Sequence, residues 1–188
     1  MKQGFIVKSN AKEVSISETE LDLINKYTKR ELKPEEIYAF TVVLCDNEID
    51  REFEKFTKDA LYSLSELFVG KTGILDHEMK SDNQTARIFD CHVEQVENRF
   101  NMVGEPYYRL IAKAYMPKCE KNNDFILDID AGIKKEVSVG CSVNKVVCSV
   151  CGANLKTDKC SHIKGNLYND KVCHTILDEP TDAYEWSF

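Results

Sequence analysis

The chain has 188 residues, 43% hydrophobic and 30% charged, with a formal net charge of −7 from 25 basic and 32 acidic side chains. That length suits one domain, or one domain with a small appendage, and allows a proper core. The acidic balance argues against a nucleic-acid partner, since phosphate contacts are built from Lys and Arg. No stretch approaches the roughly 18 apolar residues of a membrane helix, and the N-terminus lacks a signal-peptide core, so no membrane partner is expected. Eight cysteines without an export signal point to a reducing, cytosolic compartment, where they persist as thiols or metal ligands.

Taken in chain order, residues 1–36 read as an N-terminal extension. Gly4 to Val7 suggests a short strand. Ser17-Glu18-Thr19-Glu20 forms a capping box for an amphipathic helix that runs to about Glu31, with Leu21, Ile24 and Tyr27 on one face, before Pro34 breaks it. Ile37 to Cys45 is a strong strand followed by the polar turn Asp46-Asn47-Glu48. Thr57 opens a helix over 58–68, stopped by Gly70 and Gly73. Gly73 to Asp76 is a short apolar strand that delivers His77 at its end. Thr85 to Val96 and Tyr107 to Tyr115 read as two strands across a Gly104-Glu105-Pro106 turn. A short helix is expected over 124–133, a long strand from Glu136 to Val147, and further strands over 172–177 and 183–188. The pattern predicts an α+β fold with a mainly antiparallel, barrel-like sheet. Because Asp182 to Phe188 stops without a polar or glycine-rich end, the natural chain is expected to continue past 188.

Between the last two long strand patterns lies Cys148-Ser149-Val150-Cys151, then Cys160-Ser161-His162, then Cys173, four of the eight cysteines within 26 residues. CxxC and CxH are tight knuckles whose side chains converge on one point, and the spacing is that of a tetrahedral zinc site. Cys148, Cys151, Cys160 and His162 are the expected ligands, with Cys173 an alternative to His162. Four protein ligands leave no open position for water. The zinc ion should therefore be structural and should fold a loop too polar to fold alone.

Two further positions carry candidate chemistry. His77 ends an apolar strand at a polar loop, where a rigid strand can hold a general base, although a surface histidine among acids fits the same residues. Ser138, between Val137 and Val139 with Gly140 two residues on, is a candidate nucleophile with room for close backbone approach to an oxyanion. No GxSxG elbow is present, and an ordinary strand serine fits equally. His92 reads as structural, and His174 as exposed or a spare ligand.

The ordered set Asp50-Arg51, Gly70-Lys71 leading into Ile74-Leu75-Asp76-His77, Glu136-Val137-Ser138-Val139-Gly140 and Tyr184-Glu185-Trp186-Ser187-Phe188 resembles the prohead (capsid maturation) proteases of tailed bacteriophages. The resemblance covers about residues 37–188. It implies a protease domain over 37–188, interrupted by a zinc-binding insert at 148–173, and a fold like that of the herpesvirus assemblin proteases: a small β-barrel wrapped by helices. It also implies that Ser138 is the nucleophile and His77 the base. The 47 positions from Ser138 to Glu185 include the 26 of the insert, and the 21 that remain are close to the related interval. Glu185 is accordingly expected to orient His77, with Asp76 and Asp90 as competitors. The substrates implied are the scaffold protein, the major capsid protein and the protease itself, cut inside the assembling prohead in the host cytoplasm, with a homodimer possible. Two other classes fit the residues without serine chemistry: a zinc-ribbon interaction module, and a capsid or scaffold structural protein.

Overall fold

The structure is a computed structural model that describes residues 2–7 and 16–188. Among the described residues, ten strands and three α-helices follow the chain: β1 (Lys2–Ile6), α1 (Glu18–Asn25), β2 (Ile37–Asp46), β3 (Glu54–Phe56), α2 (Lys58–Phe68), β4 (Thr72–Ile74), β5 (Ala86–Phe100), β6 (Pro106–Pro117), α3 (Asn123–Asp130), β7 (Glu136–Cys148), β8 (Leu167–Tyr168), β9 (Lys171–Val172) and β10 (Thr175–Ser187). Hydrogen-bonded neighbours run β10-β4-β5-β6-β2-β1-β7, and β7 pairs back onto β10, so seven strands close a barrel; β3 adds to the side of β10. Pairing is antiparallel except where β10 meets β3 and β4. The expected α+β barrel, mainly antiparallel, is what the chain forms.

The period-2 alternation of the strands explains the closure. Val42, Leu44, Ile88, Leu110, Ala112, Ala114, Val137, Val139 and Trp186 all belong to one buried cluster. Helix α2 adds Ala60, Leu61, Leu64 and Phe68 to the same cluster. Thr57 caps it, accepting from the Ala60 N–H at 3.0 Å and donating to Asp178 at 2.7 Å. A second, smaller cluster lies under α1, where Ile24 packs with Ile37, Phe89 and Tyr115.

Three expectations shift. Lys2–Ile6, placed by sequence in an N-terminal extension, fills the gap between β2 and β7 within the barrel; residues 8–15 of that extension lie outside the described residues. Helix α1 ends at Asn25 rather than near Glu31. Its Asn25 side chain turns back to the downstream loop, accepting from the Leu32 N–H at 2.8 Å and donating to the Leu32 carbonyl at 3.2 Å. The two strands expected at 172–177 and 183–188 are one, β10, carried past Pro180 by bulges at Pro180/Asp182 and Ala183/Glu185. Among the described residues, no helix is long and apolar enough to cross a membrane.

Candidate functional site

Strands β7 and β10 form a long hairpin, paired through two bulges from Thr175 opposite Cys148 to Ser187 opposite Ser138. Each end of this hairpin carries a cluster of reactive groups. At the turn end, one ligand atom from each of Cys148, Cys151, Cys160 and His162 lies within 4.8 Å of the others, a group that could hold a metal ion. The Cys151 and Cys160 sulfurs are 3.6 Å apart, and His162 Nδ1 sits 3.5 Å from Cys160 Sγ and 3.8 Å from Cys148 Sγ. Burial works to raise the Cys148 thiol, yet the N–H groups of Cys151 and Val150, together with the Cys160 and Cys151 side chains, outweigh it and hold the thiol down at about 6. Cys91 and Cys141 are the opposite case: burial pushes them up to about 12 and about 11. Tyr168 packs edge-on against the His162 ring and accepts from the Ile163 N–H at 3.2 Å. Cys173, the alternative ligand, is buried beside Cys148 but outside the four converging groups. His174 is buried, with Nδ1 3.1 Å from the Val172 carbonyl.

At the other end, three elements bring Ser138, His77 and Glu185 together. Val137 and Val139 point into the core, so Ser138 between them faces the outer surface of the barrel. Strand β4 pairs in parallel with the end of β10, Gly73 beside Trp186 and Ile74 beside Ser187, and the chain leaving β4 carries His77 over the hairpin. His77 Nε2 is hydrogen-bonded to Ser138 Oγ, and His77 Nδ1 to Glu185 Oε1 at 2.8 Å. The Glu185 side chain is 9% exposed and that of His77 31%. With a carboxylate at Nδ1, the ring proton sits on that nitrogen and the Nε2 lone pair faces the serine hydroxyl. Both ring nitrogens are thereby taken, leaving no role on the ring for Asp76 or Asp90.

Gly140 also meets a demand that its sequence context does not reveal. It stands opposite Glu185 in the hairpin, and a Cβ there would lie 2.5 Å from Glu185 Oε1. A glycine is what lets the carboxylate lie down across β7 toward His77. Sequence reasoning assigned no role to Ser187, whose hydroxyl accepts the His77 backbone N–H at 2.9 Å. The spacing of two from Glu185, which puts both on one face of a strand, is the signal that could have found it. No family model, curated protein or solved structure matches the chain. A cleft of about 310 Å3 is lined by Leu75, Asp76, Lys134, Lys135, Glu136 and Phe188, of which Asp76 directly precedes His77 and Glu136 lies two residues before Ser138.

Proposed function

We propose that the chain is a serine endopeptidase in which Ser138, His77 and Glu185 act as nucleophile, base and orienting acid. The observation that carries this reading is the continuous contact chain from Ser138 Oγ through both ring nitrogens of His77 to the buried Glu185 carboxylate. In the first step Ser138 Oγ bonds to a peptide carbonyl carbon while its proton passes to His77 Nε2. Glu185 stabilises the imidazolium so formed. Collapse of the tetrahedral adduct breaks the C–N bond, and the same proton leaves on the departing amine. Water then repeats the sequence to release the acyl group. The cleft between Phe188, Leu75 and the Lys134–Glu136 segment adjoins both Ser138 and His77 in the chain and is the candidate seat for the peptide.

The metal is zinc in this reading, and structural. Tetrahedral bonds of about 2.3 Å to sulfur and about 2.0 Å to nitrogen set ligand atoms about 3.8 Å and 3.5 Å apart, matching the spacings of 3.6 Å between sulfurs and 3.5 to 3.8 Å between sulfur and nitrogen. Three thiols and an imidazole fill the coordination shell, so zinc would supply folding energy and no chemistry.

The motif order that resembles the phage prohead proteases gives the reading its biological form. The resemblance implies a fold like that of the herpesvirus assemblins, and a closed barrel with an outward-facing serine supports that reading. The substrates would be the scaffold protein, the major capsid protein and the chain itself, cleaved within the assembling prohead in the host cytoplasm. A second reading, a zinc-ribbon interaction module, draws on Ile163 and Leu167, which the insert leaves exposed, but it leaves the Ser138–His77–Glu185 contacts unused. Co-expression with scaffold and capsid protein, followed by mass spectrometry, separates the two. The peptidase yields defined fragments that vanish in Ser138→Ala; intact partners with the unsubstituted chain sink the proposal.

A further inference from the structure

His77 reaches the site in an unfavourable backbone conformation. Its φ is +55°, and that of Asp76 before it is +54°. Two successive residues with side chains in the left-handed region persist only when their surroundings hold them there. The turn closes on its own bond, the Glu78 N–H donating to the Leu75 carbonyl at 3.0 Å, and the end of β10 adds to the hold. The Phe188 N–H donates to the Ile74 carbonyl at 3.1 Å, and the Asp76 N–H to the Phe188 carbonyl at 3.4 Å. Between these backbone contacts lies one side chain, Ser187, only 1% exposed. Its hydroxyl accepts the His77 N–H and donates to the Phe188 carbonyl at 3.1 Å.

Ser187, like Trp186 before it, is flanked by β4 on one side and β7 on the other. It is the partner of Ile74 across β4 and of Ser138 across β7, so one residue touches both the strand of the nucleophile and the strand that leads to the base. Its backbone serves the ladders while its hydroxyl is free for the turn. Ser187→Ala would keep the ladders and lose the side-chain bonds to the His77 N–H and the Phe188 carbonyl. We infer that Ser187 is a positioning residue: its hydroxyl pins the backbone of His77 and so sets the imidazole between Ser138 and Glu185. The inference rests on the peptidase reading for its catalytic consequence, though not for its geometry.

The test compares the unsubstituted chain, Ser187→Ala and Ser187→Thr, each with 15N-labelled histidine. Two quantities are read: the rate at which a fluorophosphonate labels Ser138, and the His77 Nδ1–H proton resonance. Ser187→Ala should label about a hundredfold more slowly, the scale of a small misplacement of a reacting group, and its Nδ1–H signal should broaden or vanish while the thermal midpoint stays within a few degrees. Ser187→Thr keeps the oxygen and should regain most of the rate and the signal. A merely structural serine predicts otherwise: labelling that falls only with the folded fraction, and a sharp, unmoved His77 signal in Ser187→Ala. Either result overturns the inference. An unsubstituted chain that takes no label would sink the peptidase reading, and the His77 resonance would still decide the role of Ser187.

Discussion

The two ends of the β7–β10 hairpin are built by opposite strategies. At the turn end, four groups that could hold a metal ion come from 15 consecutive positions, 148 to 162, and two knuckles bring them together almost without help from the barrel. At the open end, the hydrogen-bonded partners are 61 and 108 positions apart and meet only because β4, β7 and β10 are neighbours in a closed sheet. A local site depends on its own loop, whereas a dispersed one depends on the register of every strand between its parts. The first should fail alone, and the second should respond to small displacements far smaller than a loss of fold.

Four outcomes would break or sharpen that contrast. Ser138→Ala or His77→Ala should each reduce fluorophosphonate labelling and peptide turnover by about 10⁶-fold, and the double variant should be scarcely worse, since the pair acts as one unit. Glu185→Gln should lose about 10³- to 10⁴-fold in turnover through a wrongly held tautomer, with circular dichroism unchanged. Gly140→Ala places a Cβ 2.5 Å from the Glu185 carboxylate and should cost about a hundredfold in rate and about 1–3 kcal/mol in stability. The comparison variant Gly104→Ala meets no atom within 4 Å but sits at φ +83°, so it should cost about 1 kcal/mol and leave the rate alone. Zinc removal with a chelator should open 149–173 to proteolysis while hydrogen exchange across β2, β5 and β6 stays slow; a barrel that melts with the metal would erase the contrast.

The smallest effect concerns neither end. The Lys113 ammonium, 2.7 Å from Glu20, together with bonds from Ser17, holds the Glu20 carboxyl below its usual value, against the opposing effect of burial. The folded chain thus keeps Glu20 ionised to lower pH than the unfolded chain. Its contribution is complete above the unfolded value of about 4.3 and is lost as pH falls through the lower folded value. Glu20→Gln should therefore remove at most about 1 kcal/mol at neutral pH and nothing at strongly acid pH, measured by denaturant unfolding.

What could be read from residues alone follows the same divide. Cys148, Cys151, Cys160 and His162 were legible because their spacing is the site. Ser138 and His77 were visible as types in plausible strands, but no local pattern separates them from ordinary residues; only motif order singled them out. Glu185 emerged by subtracting 148–173 as an insert and comparing the remaining interval with the one the resemblance supplies; the structure adds that the insert joins a hairpin, with Thr175 opposite Cys148. The demand of Glu185 on Gly140 was illegible because it comes from a residue 45 positions later in sequence. The parallel pairings of β10 with β3 and β4 depend on closure, and the early stop of α1 on the Asn25 side chain, neither of which periodicity encodes.

Glu185 and Trp186 are consecutive, so the pleat sends one to the outer site and the other into the core. Each is matched by a glycine on a different neighbouring strand: Gly140 beneath the carboxylate, and Gly73, where a Cβ would fall 2.6 Å from the Trp186 ring. A single peptide unit is thereby keyed from both faces, like a bolt seated between two plates. A change that suits the interior, such as a bulkier neighbour for Trp186, is transmitted within one residue to the carboxylate outside. The two glycines never meet, yet they form a single tolerance, and loosening either one loosens the alignment that both maintain.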